Sequence, residues 1–482
     1  MICCDAGGFD MATAPTESEG TRQQNRVCFI GNQTRTAFFQ QVAAQIDRTR
    51  TRVSWIVVNA KQRDALRAGG YDAEDILYLP LSTLPTCEHY PIKINDLVFC
   101  DRRLMHLPGR GVSYLRAIQA PIFDFLNTDL PTLVIGELTY AYEVLTHRLV
   151  KAHLPRVQWA SPFLTRVPAG FFAFFADEAF SREVFPPPAD LAPPDASSGG
   201  GKVDYKEMNR KHISRQAGAN FLLEKVGGFI SLADYDSEDP TWKSSKRRDK
   251  LEKNVRWWAN RRSYARLPKV GIEAIEACKG RSVIFPLHLQ PELNIDTCGR
   301  YWDNQAETIL KIWRQLGPGD ELFIKEHPVA IGNRGRSWYD RLLGYPNLHL
   351  LDHAASVPEI LEQVDYVFTI SGTMGLEAAL AGGKVLCLAP TTYDRLANVV
   401  SPTIADFLRC GPIDDLYETL RSEKPDGWSV ARFKEHLESH AYPGDAGGDA
   451  VANPASWEAS NIARIAWAVE QVLAQISRGR QP

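Results

Sequence analysis

Three stretches bring together residue types that bind anions, donate hydrogen bonds and move protons. The first runs Phe285-Pro-Leu-His-Leu-Gln-Pro-Glu292, with Gln290 just before a proline. The second is Glu321-Leu-Phe-Ile-Lys-Glu-His-Pro328, where Lys325 and His327 end an apolar run and Gly332 and Arg334 follow. The third is Thr369-Ile-Ser-Gly-Thr-Met-Gly-Leu-Glu-Ala378. Here Ser371, Gly372, Thr373 and Gly375 form a turn that opens a helix. Glycine lets backbone approach a ligand closely, and the first free N–H groups of a helix point at an anion, a nucleotide phosphate being the natural guest. The competing reading is a βα turn with a threonine cap. Glu377 counts against it: a capping box needs an acid or amide at 376 or 374, and those residues are Leu and Met. Glu377 is thereby left to accept hydrogen bonds from two ribose hydroxyls, or to offset the helix dipole. The proline after His327 forces the chain out of the sheet, which holds the imidazole where it can donate to a phosphate, a carboxylate or a leaving oxygen. Lys325, His327 and Arg334 together favour an anion site. Gln290 offers a donor and an acceptor to a base edge or a sugar hydroxyl, unless it caps neighbouring backbone. His288, on the same face two residues earlier, reads as structural.

Each stretch is an apolar run that ends in polar residues with Pro or Gly, as a buried parallel strand does at a ligand crevice. Helical patterns at 303–315, 338–344 and 357–363 separate them, so the region reads as an open α/β sheet. The N-terminal half repeats the alternation. A strand at 26–30, the turn Gly31-Asn32-Gln33-Thr34-Arg35 and a helix at 36–47 form a Rossmann-like opening, and one glycine is far short of a dinucleotide fingerprint. Further strands are expected at 52–59, 76–79, 96–100 and 133–137, with a helix at 140–153. Glu137 ends the last of these strands. Its carboxylate is a candidate general base or nucleophile, with Asp96, Asp101 and Glu143 as rivals.

The three C-terminal stretches resemble the bacterial capsular polysaccharide synthesis family, which includes β-Kdo glycosyltransferases of the GT-B fold. Gly136-Glu137 and Phe172-Ala-Phe-Phe175 are weaker echoes. The resemblance implies an α/β fold of two Rossmann-like domains in a GT-B arrangement, with a C-terminal helix crossing back to the first domain. The expected division is a disordered tail at 1–25, an acceptor domain at 26–185, and a linker with a helical basic region at 186–279. A nucleotide-sugar-binding domain at 280–410 and a loop with the crossover helix at 411–482 complete it. The resemblance also implies a nucleotide-sugar donor, with CMP-Kdo the form it suggests, held by Gln290, Lys325, Arg334, Ser371, Gly372, Thr373, Gly375 and Glu377. Glu137 and His327 would serve catalysis. No cofactor and no metal are expected, because a helix N-terminus and basic side chains can offset the charge of a leaving phosphate. The acceptor would be a surface polysaccharide or glycolipid. The setting would be cytoplasmic, with peripheral contact at the inner membrane face or the export machinery. The alternatives are a nucleotide-sugar epimerase, or a polysaccharide-binding or export protein without turnover on the same frame.

Composition narrows the classes. A chain of 482 residues with a formal charge of −3 is expected to hold two or three domains and is no general nucleic-acid binder. No apolar run approaches the roughly 18 to 20 residues of a membrane span. Residues 1–25 are polar and lack the pattern of a signal peptide. Nine cysteines without zinc spacing suit reduced thiols. Pro186 to Gly201 is the clearest linker. After it, Lys243, Lys246, Arg247, Arg248, Lys250 and Lys253 lead into Trp257-Trp258. This run reads as a solvated helix face, the alternative being a basic edge for an acidic polymer or an anionic membrane. The segment 426–448 is expected to be loop-rich, and 457–476 an amphipathic helix.

Overall fold

The computed structural model describes residues 24–33, 35–83, 90–189, 236–242, 247–450 and 453–479. The expected tail up to residue 23, most of the Pro/Ser/Gly linker, and Lys243 and Lys246 lie outside the described residues.

Two sheets organise the chain. The first contains β1 (Asn25–Ile30), β2 (Thr51–Val57), β3 (Ile76–Tyr78), β4 (Leu133–Ile135), β5 (Gln158–Leu164), β6 (Phe171–Phe175), β7 (Glu183–Val184) and β14 (Tyr442–Pro443), in the order β14-β6-β5-β4-β1-β2-β3 with β7 beside β6. Strands β1 to β5 pair in parallel, and β6, β7 and β14 add antiparallel. The second contains β8 (Ser282–Pro286), β9 (Glu321–Lys325), β10 (Leu348–Leu351), β11 (Tyr366–Thr369), β12 (Lys384–Cys387) and β13 (Val399–Val400), in the order β10-β9-β8-β11-β12-β13, all parallel.

Numbered within itself, the second sheet runs 3-2-1-4-5-6, and the first begins 3-2-1-4-5. That is the doubly wound Rossmann order, whose ligand crevice opens where the strand order reverses. The reversals fall between β1 and β4, and between β8 and β11. Alternation along each strand feeds two cores. In β1, Cys28 and Ile30 face a core built with helix Ala141–His153, while Val27 and Phe29 face one built with helix Thr36–Gln45. In β8, Val283 and Phe285 separate in the same way from Ile284.

Helix Ala459–Gly479 lays Ile462, Ile465, Val469, Val472, Leu473 and Ile476 into the first sheet's core beside Phe38 and Val42. The chain's last helix therefore crosses back to the first domain, which completes a GT-B arrangement. Ion pairs join the two domains. Arg300 reaches Glu178 at 2.5 Å and Asp96 at 3.3 Å, and Arg148 holds the same two acids at 2.7 and 2.9 Å. Burial alone would raise the Glu178 carboxyl, but His147, Arg148 and Arg300 hold it well below the usual carboxylate range. Arg395–Glu183 at 2.6 Å and Arg182–Asp394 at 3.0 Å add a second tie.

Two expected elements differ. Residues 96–100, expected as a strand, belong to a 3₁₀ helix, Asn95–Cys100. Leu97, Val98, Cys100 and then Leu104 turn inward while Phe99 is exposed, a helical spacing that a short apolar run conceals. The segment 426–448 is not mainly loop. Ser429 caps a helix, Val430–His440, that buries only Phe433 and Leu437, and β14 follows. Two apolar residues one turn apart among charges give a faint signal.

Candidate functional site

All three C-terminal motifs sit at the carboxyl ends of their strands, around the β8/β11 reversal. Ser371 follows β11, Gly372 caps helix Thr373–Leu380, and Thr373 is its first residue. The Ser371 hydroxyl donates to the Asn294 carbonyl at 2.7 Å, which ties the turn to the loop after β8. The glycines serve the protein's own packing. A Cβ on Gly372 would lie 2.9 Å from Thr369 Oγ1 and 3.0 Å from His288 Nε2, and one on Gly375 would lie 2.5 Å from Thr369 Cγ2. The turn is thereby pressed onto the sheet with its helix N-terminus facing outward. Glu377 lies one turn further on the same exposed face as Thr373.

The expected basic cluster divides. Lys325 is buried, and its Nζ donates to the His353 carbonyl at 2.6 Å, on the β10 side. Burial lowers its pKa to about 8. Arg334 donates to Glu326 Oε1 at 2.6 Å and to the His288 carbonyl at 2.7 Å, and lies over the Trp338 ring. Glu326 is fully buried, and it also accepts from Tyr339 OH and from the His327 backbone N–H. Arg334 therefore braces the ends of β8 and β9. Gln290 spends both ends of its amide within its own domain, donating to Asp296 Oδ1 in its loop and accepting from Gln305 Nε2 at the start of the next helix, each at 3.1 Å. His288 is buried beside the turn, 3.4 Å from Thr369 Oγ1. Burial, then the Arg334 and His327 charges, push its pKa down to about 3, so it stays neutral and packs the turn. His327 is half-buried and caps the short turn Pro328–Ala330, its Nδ1 accepting from the Val329 N–H at 3.3 Å.

In the first domain the β1/β4 reversal gathers Asn32, Arg35, Glu137 and Glu143. Arg35 Nη2 pairs with Glu137 Oε1 at 2.6 Å, and Asn32 Nδ2 donates to Glu137 Oε2 at 2.9 Å and to Glu143 Oε1 at 3.2 Å. Glu143 is fully buried and also accepts from the Thr139 and Tyr140 N–H groups, each at 2.9 Å. Burial favours the acid form of both carboxyls. The Arg35 charge and the bonds from Arg35 and Asn32 reverse this at Glu137, which is held below its usual value. Glu143, facing that anion, is pushed up. Of the other rivals, Asp96 belongs to the ion network between the domains. Asp101 is buried, caps Arg103 and Leu104, and is raised by burial to about 7.

Between the domains lies an open cleft. Ser371, Thr373, Asn294, Thr391 and Thr392 form a polar wall, and Phe163, Phe175 and Phe180 an aromatic one. Arg166 lines the cleft from the first domain, where its charge also acts on the buried Glu292, and among the described residues lining the cleft it is the one charged side chain. Its backbone holds φ +63°, a conformation that costs any residue other than glycine free energy. Sequence reasoning passed over Arg166, although Thr165-Arg-Val-Pro-Ala-Gly170 between aromatic strands is a turn signal. It also missed Asn32 and Arg35, which no local pattern links to Glu137 about a hundred residues away. Among the described residues, no group of three or more His, Cys, Asp or Glu is placed to hold a metal, and no helix is long and apolar enough to cross a membrane.

Comparison with known proteins bears on the same segment. Residues 236–396 match the model of a family described as capsule polysaccharide biosynthesis protein. No curated protein matches. Among solved structures, KpsC of Thermosulfurimonas dismutans, a beta Kdo 2,7 transferase, aligns at 13% identity over 68% of this chain and 83% of its own, with a TM-score of 0.32. A putative UDP-N-acetylglucosamine 2-epimerase from Listeria monocytogenes aligns at 11% over 86% and 95%, with a TM-score of 0.25. The Neisseria meningitidis UDP-GlcNAc 2-epimerase bound to UDP-GlcNAc aligns at 13% over 94% and 100%, with a TM-score of 0.22. Similarity this low does not bear on activity. The matched segment, residues 236–396, holds all three crevice motifs, so over that segment the chain is similar to the capsule polysaccharide biosynthesis family.

Proposed function

We propose that the protein is a glycosyltransferase that moves a sugar from a nucleotide donor on its second sheet to a polysaccharide or glycolipid acceptor on its first. The observation that carries this reading is the cleft between the sheets, which is lined both by Thr373, at the N-terminus of helix Thr373–Leu380, and by Arg166. An anion there is met by oriented N–H groups on one side and a guanidinium on the other. CMP is the nucleotide and Kdo the sugar that the family likeness favours. Glu377, one turn above, would accept from the ribose hydroxyls. Glu137, fixed as a carboxylate by Arg35 and Asn32, would face the acceptor as base or nucleophile. A cytoplasmic setting belongs to the same proposal.

Titration calorimetry with CMP, UDP and GDP on the full chain tests it. Glu377→Ala is expected to weaken CMP binding by about 1 to 3 kcal/mol, roughly 5- to 150-fold. Arg166→Ala should weaken CMP roughly tenfold and leave cytidine unaffected, because only the phosphate is addressed. If no nucleotide binds, the reading is overturned. If Glu377→Ala binds CMP normally, the ribose role is lost and the cleft remains. Product analysis with and without acceptor separates transfer from epimerisation.

The transfer is proposed to need no divalent metal, since the helix N-terminus and Arg166 can offset the leaving phosphate charge. Full turnover after exhaustive chelation is the expected result. Turnover abolished by EDTA and restored by Mg²⁺ or Mn²⁺ would refute this point.

A further inference from the structure

Helix Arg247–Ala265 has two faces that its sequence does not separate. One face packs on the second domain. Tyr264 is buried against Tyr339, and Asn260 Nδ2 donates to the Gly332 carbonyl at 3.2 Å. Trp257 fits over Gly332, where a Cβ would lie 2.8 Å from its Nε1. The opposite face carries Leu251, Val255 and Trp258, which are 53%, 61% and 44% exposed. Their spacing of four and then three residues puts them on one stripe, about 60° wide at 100° per residue. Adjacent tryptophans thus point apart: Trp257 anchors the helix and Trp258 faces solvent. Exposed apolar side chains scattered singly are ordinary, but three in a row on one helix are not.

The charge around the stripe identifies its occupant. The helix holds seven Lys and Arg against two acids, a net of +5, in a chain whose formal charge is −3. Lys253, Arg256 and Arg262 are all exposed on the described part. A helix that combines an outward Leu/Val/Trp stripe with an excess of positive charge fits a lipid surface of negative charge. The apolar side chains enter the boundary between headgroups and acyl chains, and the cations stay among the phosphates. An acidic polymer would leave the stripe wet.

We infer that this helix docks the protein on an anionic membrane through Leu251, Val255 and Trp258. The inference stands apart from the proposed transfer, because these residues lie on the side of the helix away from the packed domain. The test is co-sedimentation of the full chain with vesicles of phosphatidylcholine alone or with about 30 mol % phosphatidylglycerol. Wild type is expected to bind the anionic vesicles, and less well as salt rises. Leu251→Glu with Trp258→Glu should cut that binding by at least about tenfold. The milder Val255→Ser with Trp258→Ser should reduce it with an unchanged melting temperature. Leu408→Glu, at an exposed site elsewhere, should leave it unaltered. Three results would overturn the inference. They are failure of wild type to bind anionic vesicles, equal binding by both stripe variants, or binding of wild type to soluble heparin in place of vesicles.

Discussion

Replacing Arg334 by Met is expected to destabilise the second domain far more than it weakens any ligand. The Arg334 guanidinium pairs at 2.6 Å with Glu326, whose side chain has no exposure to solvent. It also takes up the His288 carbonyl at 2.7 Å. Without it, among the described residues, a buried carboxylate keeps the Tyr339 hydroxyl and a backbone N–H as its hydrogen-bond donors. Breaking a buried pair by removing one partner costs about 3 to 5 kcal/mol, because the other charge is stranded. For a unit of this size the melting temperature should fall by roughly 6 to 20 °C. Adding Glu326→Gln to Arg334→Met should restore more than half of the loss, since the stranded charge goes with its partner. A donor-binding arginine predicts a different pair of measurements: a near-normal melting temperature, and a nucleotide affinity reduced by Arg334→Met that the second change does not repair. Differential scanning calorimetry and a CMP titration on the same two preparations decide between them.

This division of the cations marks where sequence reading ends. The order of strand and helix in the second domain, the turn after β11 and the amphipathic last helix were legible, because each rests on local periodicity or on Gly and Pro placement, whereas the crossing of that helix to the first domain was implied by the family resemblance. The positions of Lys325 and Arg334 at the end of β9 were legible too. What could not be read was where their charges are spent. Neighbours along a strand point to opposite faces, so Lys325 is carried toward His353 while Glu326 turns to the other side. Glu326 is the hidden term: a carboxylate that must be buried to close the core demands a cation, and Arg334 answers it. Gln290 illustrates the same limit, since Asp296 and Gln305 take its amide through a loop whose shape no pattern encodes. Arg166 is the converse case. It belongs to the first domain by sequence, and only the folding of the two domains against each other brings it to the same cleft as Thr373.

His327→Asn is expected to lower kcat by about 10²-fold with the fold intact. The reason lies in the two ring nitrogens. Nδ1 accepts from the Val329 N–H, so in the neutral ring the proton sits on Nε2. One nitrogen therefore caps the turn, and the other carries the proton that the proposed role would direct at an oxygen gaining charge as the sugar–phosphate bond breaks. Asparagine separates these jobs. Its side-chain oxygen can take over the cap, for which it is among the preferred residues, but it is too short to place a donor where Nε2 stands. A group that acts on developing charge lowers kcat and leaves donor binding nearly alone, so the donor dissociation constant should stay within about threefold. A capping role predicts the reverse, with His327→Ala destabilised and His327→Asn fully active. Turnover and melting temperature for the Ala and Asn variants together assign the residue: a slow but stable Asn variant places Nε2 in the chemistry, and a fast one confines His327 to the turn.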